Sequence, residues 1–380
     1  MGANPPLKGI RVLELGGLAP SPFAGLVLAD YGADVVRIDR PTRVFGPPRD
    51  TLCRHKRSIV IDLKSAASRD AFLALVRAAD VLIDPYRPGV MSRLGLGPET
   101  LTNLNPRLIY AHLHGFRPDG TYGQAAGHDL NYLAVSGILN IVGRKGEKPS
   151  PPSNVLGDFA GGGLVCVAGI LFALLHRHST GRGQVVTANM VDGTSYLATF
   201  PRQQHGHQNM DRPRGENLLD GAAPFYEVYE TKDARFVAVG AQEPQFYAQL
   251  LRGLGLGGGL GRGKLPDQWD RTHWPAMKRR FEAIFRTKSM AEWRAVFDGT
   301  DACVSPVLAW DEVEAPYRPL VELSGSPSRD VSVQEDFPEL EKGQGCGEVL
   351  SEWVPHVQGK MSVDDKTKVL TMKNGRDVKL

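Results

Sequence analysis

The sequence predicts an α/β protein: an open, doubly wound parallel sheet in a large Rossmann-like domain, joined to a smaller α+β domain. Two observations predict it. Short apolar runs that end at Gly, Asp or Pro recur with about ten helical residues between them, the spacing of βαβ units. Beyond residue 222 that rhythm gives way to a hairpin followed by helices, and a length of 380 residues accommodates two domains.

Ile10–Leu15 reads as the first strand and stops at Gly16-Gly17; Pro20 and Pro22 open a helix through Phe23–Ala29. Gly32-Ala33 turns the chain into a second strand, Asp34–Asp39. Ser58–Asp62, a helix over Ser65–Ala78 and Asp80–Ile83 repeat the unit, and Leu108–Leu113 supplies another strand. A helix rich in small residues over Ala160–His176 ends at Gly181-Arg182-Gly183, and Gln184–Ala188 resumes as a strand. The expected large domain is therefore 1–195, completed by 325–380, with 196–222 as a linker of little periodicity. In the small domain, 223–315, Phe225–Gly240 reads as a hairpin turning at Lys232-Asp233. Helices follow at Pro244–Gly253, Trp274–Arg286 and Met290–Phe297. The tail after Pro316, rich in Ser, Pro, Gly and acids, specifies no fold by pattern.

Composition narrows the function. Forty-five basic against 42 acidic residues give a net charge of +3, too mild for a nucleic-acid partner but compatible with a local basic groove for an anion. The longest nearly pure apolar run, Gly161–Leu175, includes four glycines and falls short of the roughly 18 residues of a bilayer span. The first residues lack the apolar core of a signal peptide, and Pro6 disfavours myristoylation at Gly2. Cys53, Cys166, Cys303 and Cys346 are widely spaced, which reads as reduced thiols of an intracellular protein. The terminal Val378-Lys379-Leu380 is a loose relative of the peroxisomal SKL address, so cytoplasm and peroxisome both stand as expectations.

Three polar residues in Gly-rich or turn contexts could carry chemistry. His128 stands where a helix opens (Leu130, Leu133 and Ala134, then Gly137), so its neighbouring N–H groups would favour an oxyanion. A plain helix start with Asp129 capping accounts for the spacing equally simply. Asp158 precedes Gly161-Gly162-Gly163 and reads first as an N-cap, yet three glycines weaken a helix by about 1 kcal/mol each and demand a close neighbour, either packing or ligand. Glu243 precedes Pro244 at a helix start, where a solvated cap residue is the simple reading. No metal is expected: His205-Gly206-His207 has no further ligand at metal spacing. Gly253–Gly263 lacks the GK[ST] ending of a phosphate loop. The basic run Arg54-His55-Lys56-Arg57 is ordinarily a solvated face, but after the second strand it could hold phosphate, as could Arg40 and Arg93.

Taken together, GIRVLEL (9–15), LADYGADVVRIDRP (28–41), SIVIDLK (58–64), RPGVMSRLGLGPE (87–99), NPRLIYA (105–111), AGHDLNY (126–132), GDFAGGG (157–163), GRGQVVTANMVDGTSYL (181–197), ENLLDGAAPFYEVYET (216–231), GAQEPQFY (240–247) and DGTDACVSPVL (298–308) resemble the family III CoA-transferase (CaiB/BaiF) superfamily, in its α-methylacyl-CoA racemase branch. The resemblance covers about residues 8–312, and the tail beyond Pro316 departs from it. It implies that His128 and Asp158 form an acid/base pair and that Glu243 partners the imidazole. It implies further that CoA lies near Arg40, Arg57, Arg93 and the Gly127–Tyr132 segment, including Asp129 and Tyr132. Beyond the CoA of its substrate it implies no cofactor. It also implies an interlocked homodimer whose active site pairs the large domain with the partner's small domain. The expected reaction inverts the α-carbon of a 2-methyl-branched or similar acyl-CoA by 1,1-proton transfer through an enolate. Alternatives are a CoA-transferase with Asp158 as nucleophile, an epimerase of the isopenicillinyl-CoA type, and a silent CoA-binding protein.

Overall fold

The computed structural model describes residues 4–42, 51–207, 210–257, 265–314, 317–332 and 339–373. Six parallel strands, β1 (Arg11–Leu15), β2 (Asp34–Asp39), β3 (Lys56–Val60), β4 (Val81–Asp84), β5 (Ile109–His114) and β6 (Val185–Asn189), lie in the order β3-β2-β1-β4-β5-β6. That is the Rossmann order, with the reversal of direction between β1 and β4. Helices cover both faces, so the strands are apolar on both sides and their alternate residues feed different cores. Leu13, Leu15, Val36, Ile38, Ile59, Leu82 and Tyr110 pack on one face with Phe72 and Leu75 of the helix Ala66–Ala78. Val12, Val35, Val81, Ile83 and Ile109 pack on the other with helices Pro20–Asp30 and Val165–Thr180.

The chain forms two compact units: Met1–Ser136 with Ser153–Leu197 and Tyr317–Leu380, and Gly137–Pro152 with Ala198–Pro316. Two expectations change. Gly137–Pro152 clusters with the second unit although strands of the first flank it in sequence. The expected linker, from Ala198 onward, also belongs to that unit and is partly built, with a helix at Thr199–Gln204 and a kinked turn at Leu218–Ala222. In the second unit β7 (Tyr226–Glu230), β8 (Phe236–Gly240) and β9 (Val304–Pro306) make an antiparallel sheet. Helices Pro244–Gly253, Trp274–Phe285 and Met290–Phe297 bury Leu250, Phe281 and Trp293 in the core of the same unit.

The tail that showed no pattern in sequence folds as part of the first unit. Helix Cys346–Trp353 puts Cys346, Val349, Leu350 and Trp353 into the core, and Trp353 Nε1 donates to Asp34 Oδ2 at 2.7 Å. A short hairpin, β10 (Met361–Val363) and β11 (Leu370–Met372), adds Met361, Leu370 and Met372 to the same core.

The helix expected over Ala160–His176 begins earlier and in a wider winding. Val155–Leu164 is π-helical and runs on into the α-helix Val165–Thr180, which Gly181 stops at φ 71°. The continuous 26-residue segment is long and apolar enough to cross a membrane by length and composition, which corrects the sequence estimate. It packs instead against the sheet, with Cys166, Val167, Ile170 and Ala173 in the core. What approaches the three glycines is protein: a Cβ at Gly161 would stand 2.2 Å from Thr194 Oγ1, and one at Gly162 2.8 Å from Met190. Gly193 reciprocates, since its Cβ would fall 1.8 Å from the Gly161 carbonyl.

Candidate functional site

The C-terminal ends of β4 and β5 shape a cavity of about 440 Å³, where doubly wound sheets bind ligands. Tyr86 and Arg87, just after β4, line it, as do His114 at the end of β5 and the segment that reaches His128 and Tyr132. Residues 129–136 form a helix, and the His128 carbonyl accepts from the N–H groups of Asn131 (2.8 Å) and Tyr132 (3.2 Å), so His128 is its N-cap residue. Asn131 Oδ1 accepts the His128 N–H in return at 3.1 Å, and the His128 side chain is left exposed. Tyr132 is buried, donates its hydroxyl to the Gly127 carbonyl, and is pushed up to about 12, chiefly by burial and then by the Asp158 charge.

Asp129 does not cap its own helix. Its Oδ2 accepts the backbone N–H of Gly157 and of Asp158, each at 2.7 Å. Nor is Asp158 an N-cap: it lies inside the π-helical turn and is only 8% exposed. Burial first and the Asp129 carboxylate second push the Asp158 carboxyl up to about 6, while a hydrogen bond from Asn154 and the His128 imidazole pull the other way. The first unit therefore brings His128 and Asp158 within electrostatic reach of each other. Glu243 stands in the second unit as the exposed N-cap of the helix Pro244–Gly253, with no side-chain capping bond, and its charge acts on the Cys303 thiol.

The basic residues divide. Arg40 is exposed over the Tyr86 ring at 4.8 Å from its centroid, and Arg93 is exposed at the end of a short helix. The Arg54–Arg57 run, by contrast, is structural. Lys56 is buried with Glu14, Arg54 Nε donates to Asp30 Oδ1 at 2.7 Å, and His55 Nε2 meets the Asp330 carbonyl at 2.7 Å. Arg57 is committed to Asp34 (2.5 Å) and Glu352 (2.8 Å), which corrects its assignment to a phosphate. Asp129, turned inward, is likewise withdrawn as a CoA ligand through its side chain.

Residues that pattern reading missed lie beside the lining residues Tyr86 and His114. Asp84 accepts the Tyr110 hydroxyl at 2.9 Å and lies 3.3 Å from His112 Nδ1; His112 stacks on His114 at 4.9 Å. Burial and the adjacent His112 push the His114 imidazole down, favouring its neutral form. Tyr86, Arg87 and His114 could have been found from the sheet rule alone, because they follow or end strands that the sequence already placed. A larger cavity of about 660 Å³ lies wholly within the second unit, beside Arg144, Glu227 and Cys303, and contains neither His128 nor Asp158. Among the described residues no cluster of His, Cys, Asp and Glu has metal-binding geometry. Part of the Gly253–Gly263 loop and all of Val378-Lys379-Leu380 lie outside the described residues.

Comparisons with known proteins agree with this architecture. The chain is 52% identical over 307 residues to human alpha-methylacyl-CoA racemase, covering 81% of this chain and 79% of the relative. It is 34% identical over 275 residues to the succinate–glutarate CoA-transferase of Agrobacterium fabrum, covering 67% and 68%. A CaiB/BaiF family protein from Brucella suis superposes with a TM-score of 0.70 at 25% identity, over 89% of this chain and 94% of that one. The family model for CoA-transferase family III matches residues 7–321, a span that includes the whole six-stranded sheet: the chain belongs to CoA-transferase family III.

Proposed function

We propose that the protein is a racemase of 2-methyl-branched or similarly 2-substituted acyl-CoA thioesters, inverting the α-carbon by 1,1-proton transfer. The observation that carries this reading is a buried carboxyl, Asp158, pushed up to about 6 and within electrostatic reach of the His128 imidazole. Inversion needs one group to remove the α-proton and a second to return one from the opposite face. Groups with proton affinities near neutrality serve both roles with least loss of driving force. The 52% identity to the human racemase favours this reaction over the transfer chemistry of the more distant relatives.

In this proposal His128 and Asp158 exchange roles according to which enantiomer is bound. The enolate oxygen is held at the head of the helix Asp129–Ser136, where the helix dipole favours negative charge. Arg40, Arg87 and Arg93 supply positive charge for the CoA phosphates, and Gly127 and Tyr132 line the path of the thioester. No metal or organic cofactor is required by this chemistry. A homodimer belongs to the same proposal. It is supported by Phe172 and Leu175, 70% and 73% exposed on the helix Val165–Thr180, an apolar face that a second subunit would cover.

An epimerisation assay in D₂O with a panel of CoA thioesters, from 2-methylacyl to aminoadipoyl-peptide types, tests the reaction and its substrate range. The expected result is interconversion of enantiomers with deuterium at the α-carbon. In the same assay hydroxylamine should leave the enzyme active. Inactivation during turnover, through a trapped acyl-Asp158, would replace the racemase reading with a transferase one.

A further inference from the structure

We propose that Asp129 is the positioning residue of the acid/base pair: its buried carboxylate ties the turn bearing His128 to the π-helical turn bearing Asp158 and sets how that turn is held. The inference rests on the racemase reading and adds to it a residue that touches neither substrate nor proton in flight.

An aspartate in the first turn of a helix ordinarily faces solvent or bonds to the N–H groups of that helix. Asp129 does neither. It is 5% exposed, and one oxygen accepts two successive N–H groups 28 and 29 residues further along the chain. The backbone around it has been shaped to admit that oxygen: a Cβ at Gly157 would come 2.6 Å from Asp129 Oδ2. The second oxygen, Oδ1, is buried with no hydrogen-bond partner among the described residues. Bringing this carboxylate beside Asp158 places two acids together with no Lys or Arg paired to either among the described residues, an arrangement that costs stability and that packing alone would not select.

The geometry has an electrostatic consequence. The charged groups that act on Asp158 are Asp129 and His128; the Tyr132 hydroxyl, itself near Arg87, also feels its charge. Of these Asp129 alone strengthens the hold of Asp158 on its proton, second only to burial. One residue thereby fixes the acid/base spacing and tunes the acid.

Asp129→Asn separates the two effects, because a carboxamide oxygen can still accept both N–H groups while the charge is gone. The expected result is a folded protein in which the acidic limb of the kcat/KM profile moves to lower pH, by on the order of one unit. Asp129→Ala, which removes the bonds as well, should lower kcat at least about tenfold with little change in KM. The pH dependence of Tm, compared with and without Asp158→Asn in the wild-type and Asp129→Asn backgrounds, reports the same shift without substrate. That readout stands even where the wild-type protein shows no racemisation, so a failure of the functional reading is distinguishable. An acidic limb and a Tm profile both unmoved in Asp129→Asn would overturn the proposal, leaving Asp129 a structural tie only.

Discussion

Glu14 and Asp158 are both buried acids of the first unit, in opposite surroundings. Glu14 on β1 meets Lys56 Nζ at 2.7 Å with both side chains wholly enclosed, and the same ammonium donates to the Pro22 carbonyl at 2.7 Å. Asp158 is enclosed beside another carboxylate. The first pairing satisfies a charge inside the fold and makes it a strut linking β1, β3 and the helix Pro20–Asp30. The second sets a like charge beside the carboxyl and, with burial, pushes it up to about 6. At Asp158 burial is the larger cause and the neighbouring carboxylate adds to it, whereas at Glu14 an ammonium stands in that carboxylate's place.

Making Glu14 resemble Asp158 should have the largest effect on stability. Lys56→Met strands a carboxylate in the core and is expected to cost about 3–5 kcal/mol, read by urea unfolding. The double variant with Glu14→Leu should recover most of that loss. A Lys56→Met loss well under about 1 kcal/mol would show that the pair is not the strut described here.

Making Asp158 neutral should move stability the other way. Its carboxyl keeps a proton up to about pH 6 when folded, against an ordinary 3.8, so between those values the unfolded chain binds fewer protons. Its effect on folding is absent at low pH, grows as pH rises through 4 to 6, and above that range is a constant penalty. After allowance for solvent screening, Asp158→Asn should gain roughly 1–2 kcal/mol above pH 6.5 and nothing near pH 3.5, with activity lost. An equal gain at both pH values would contradict the assignment.

The smallest effect concerns the basic run. Arg57→Ala should loosen the docking of helix Cys346–Trp353, costing about 1 kcal/mol, seen as faster amide exchange in that helix. Affinity for CoA should change less than about twofold, since the guanidinium is spent on Asp34 and Glu352. Arg40→Ala, by comparison, should raise KM for the thioester.

Much of this was legible in the sequence because strands and helices of a doubly wound sheet advertise themselves locally. Five strands of the sheet and the helix Pro244–Gly253 fall within a residue or two of where apolar runs, Gly stops and Pro starts placed them, while β3 begins two residues early and takes in Lys56 and Arg57 of the basic run. The tail was not read, although Cys346, Val349, Leu350 and Trp353 have helical spacing, because its two strands are three residues each and its core partners lie some 300 residues away in sequence. Local pattern also cannot say that Gly137–Pro152 leaves one unit for the other. At the site, residue type singled out His128 and Asp158. Direction of the side chain could not be read: Asp129 looked like a cap and Arg57 like a phosphate ligand, and both turn into the protein.

Enantiomer-resolved deuterium uptake from D₂O by a 2-methylacyl-CoA, compared among wild type, His128→Ala and Asp158→Ala, addresses the central claim most directly. Each variant should lose epimerisation by about 10²–10⁴-fold. Residual exchange in each should favour the enantiomer whose proton faces the group that remains, and the preference should reverse between the two variants. Undiminished exchange from both enantiomers in His128→Ala would contradict the account.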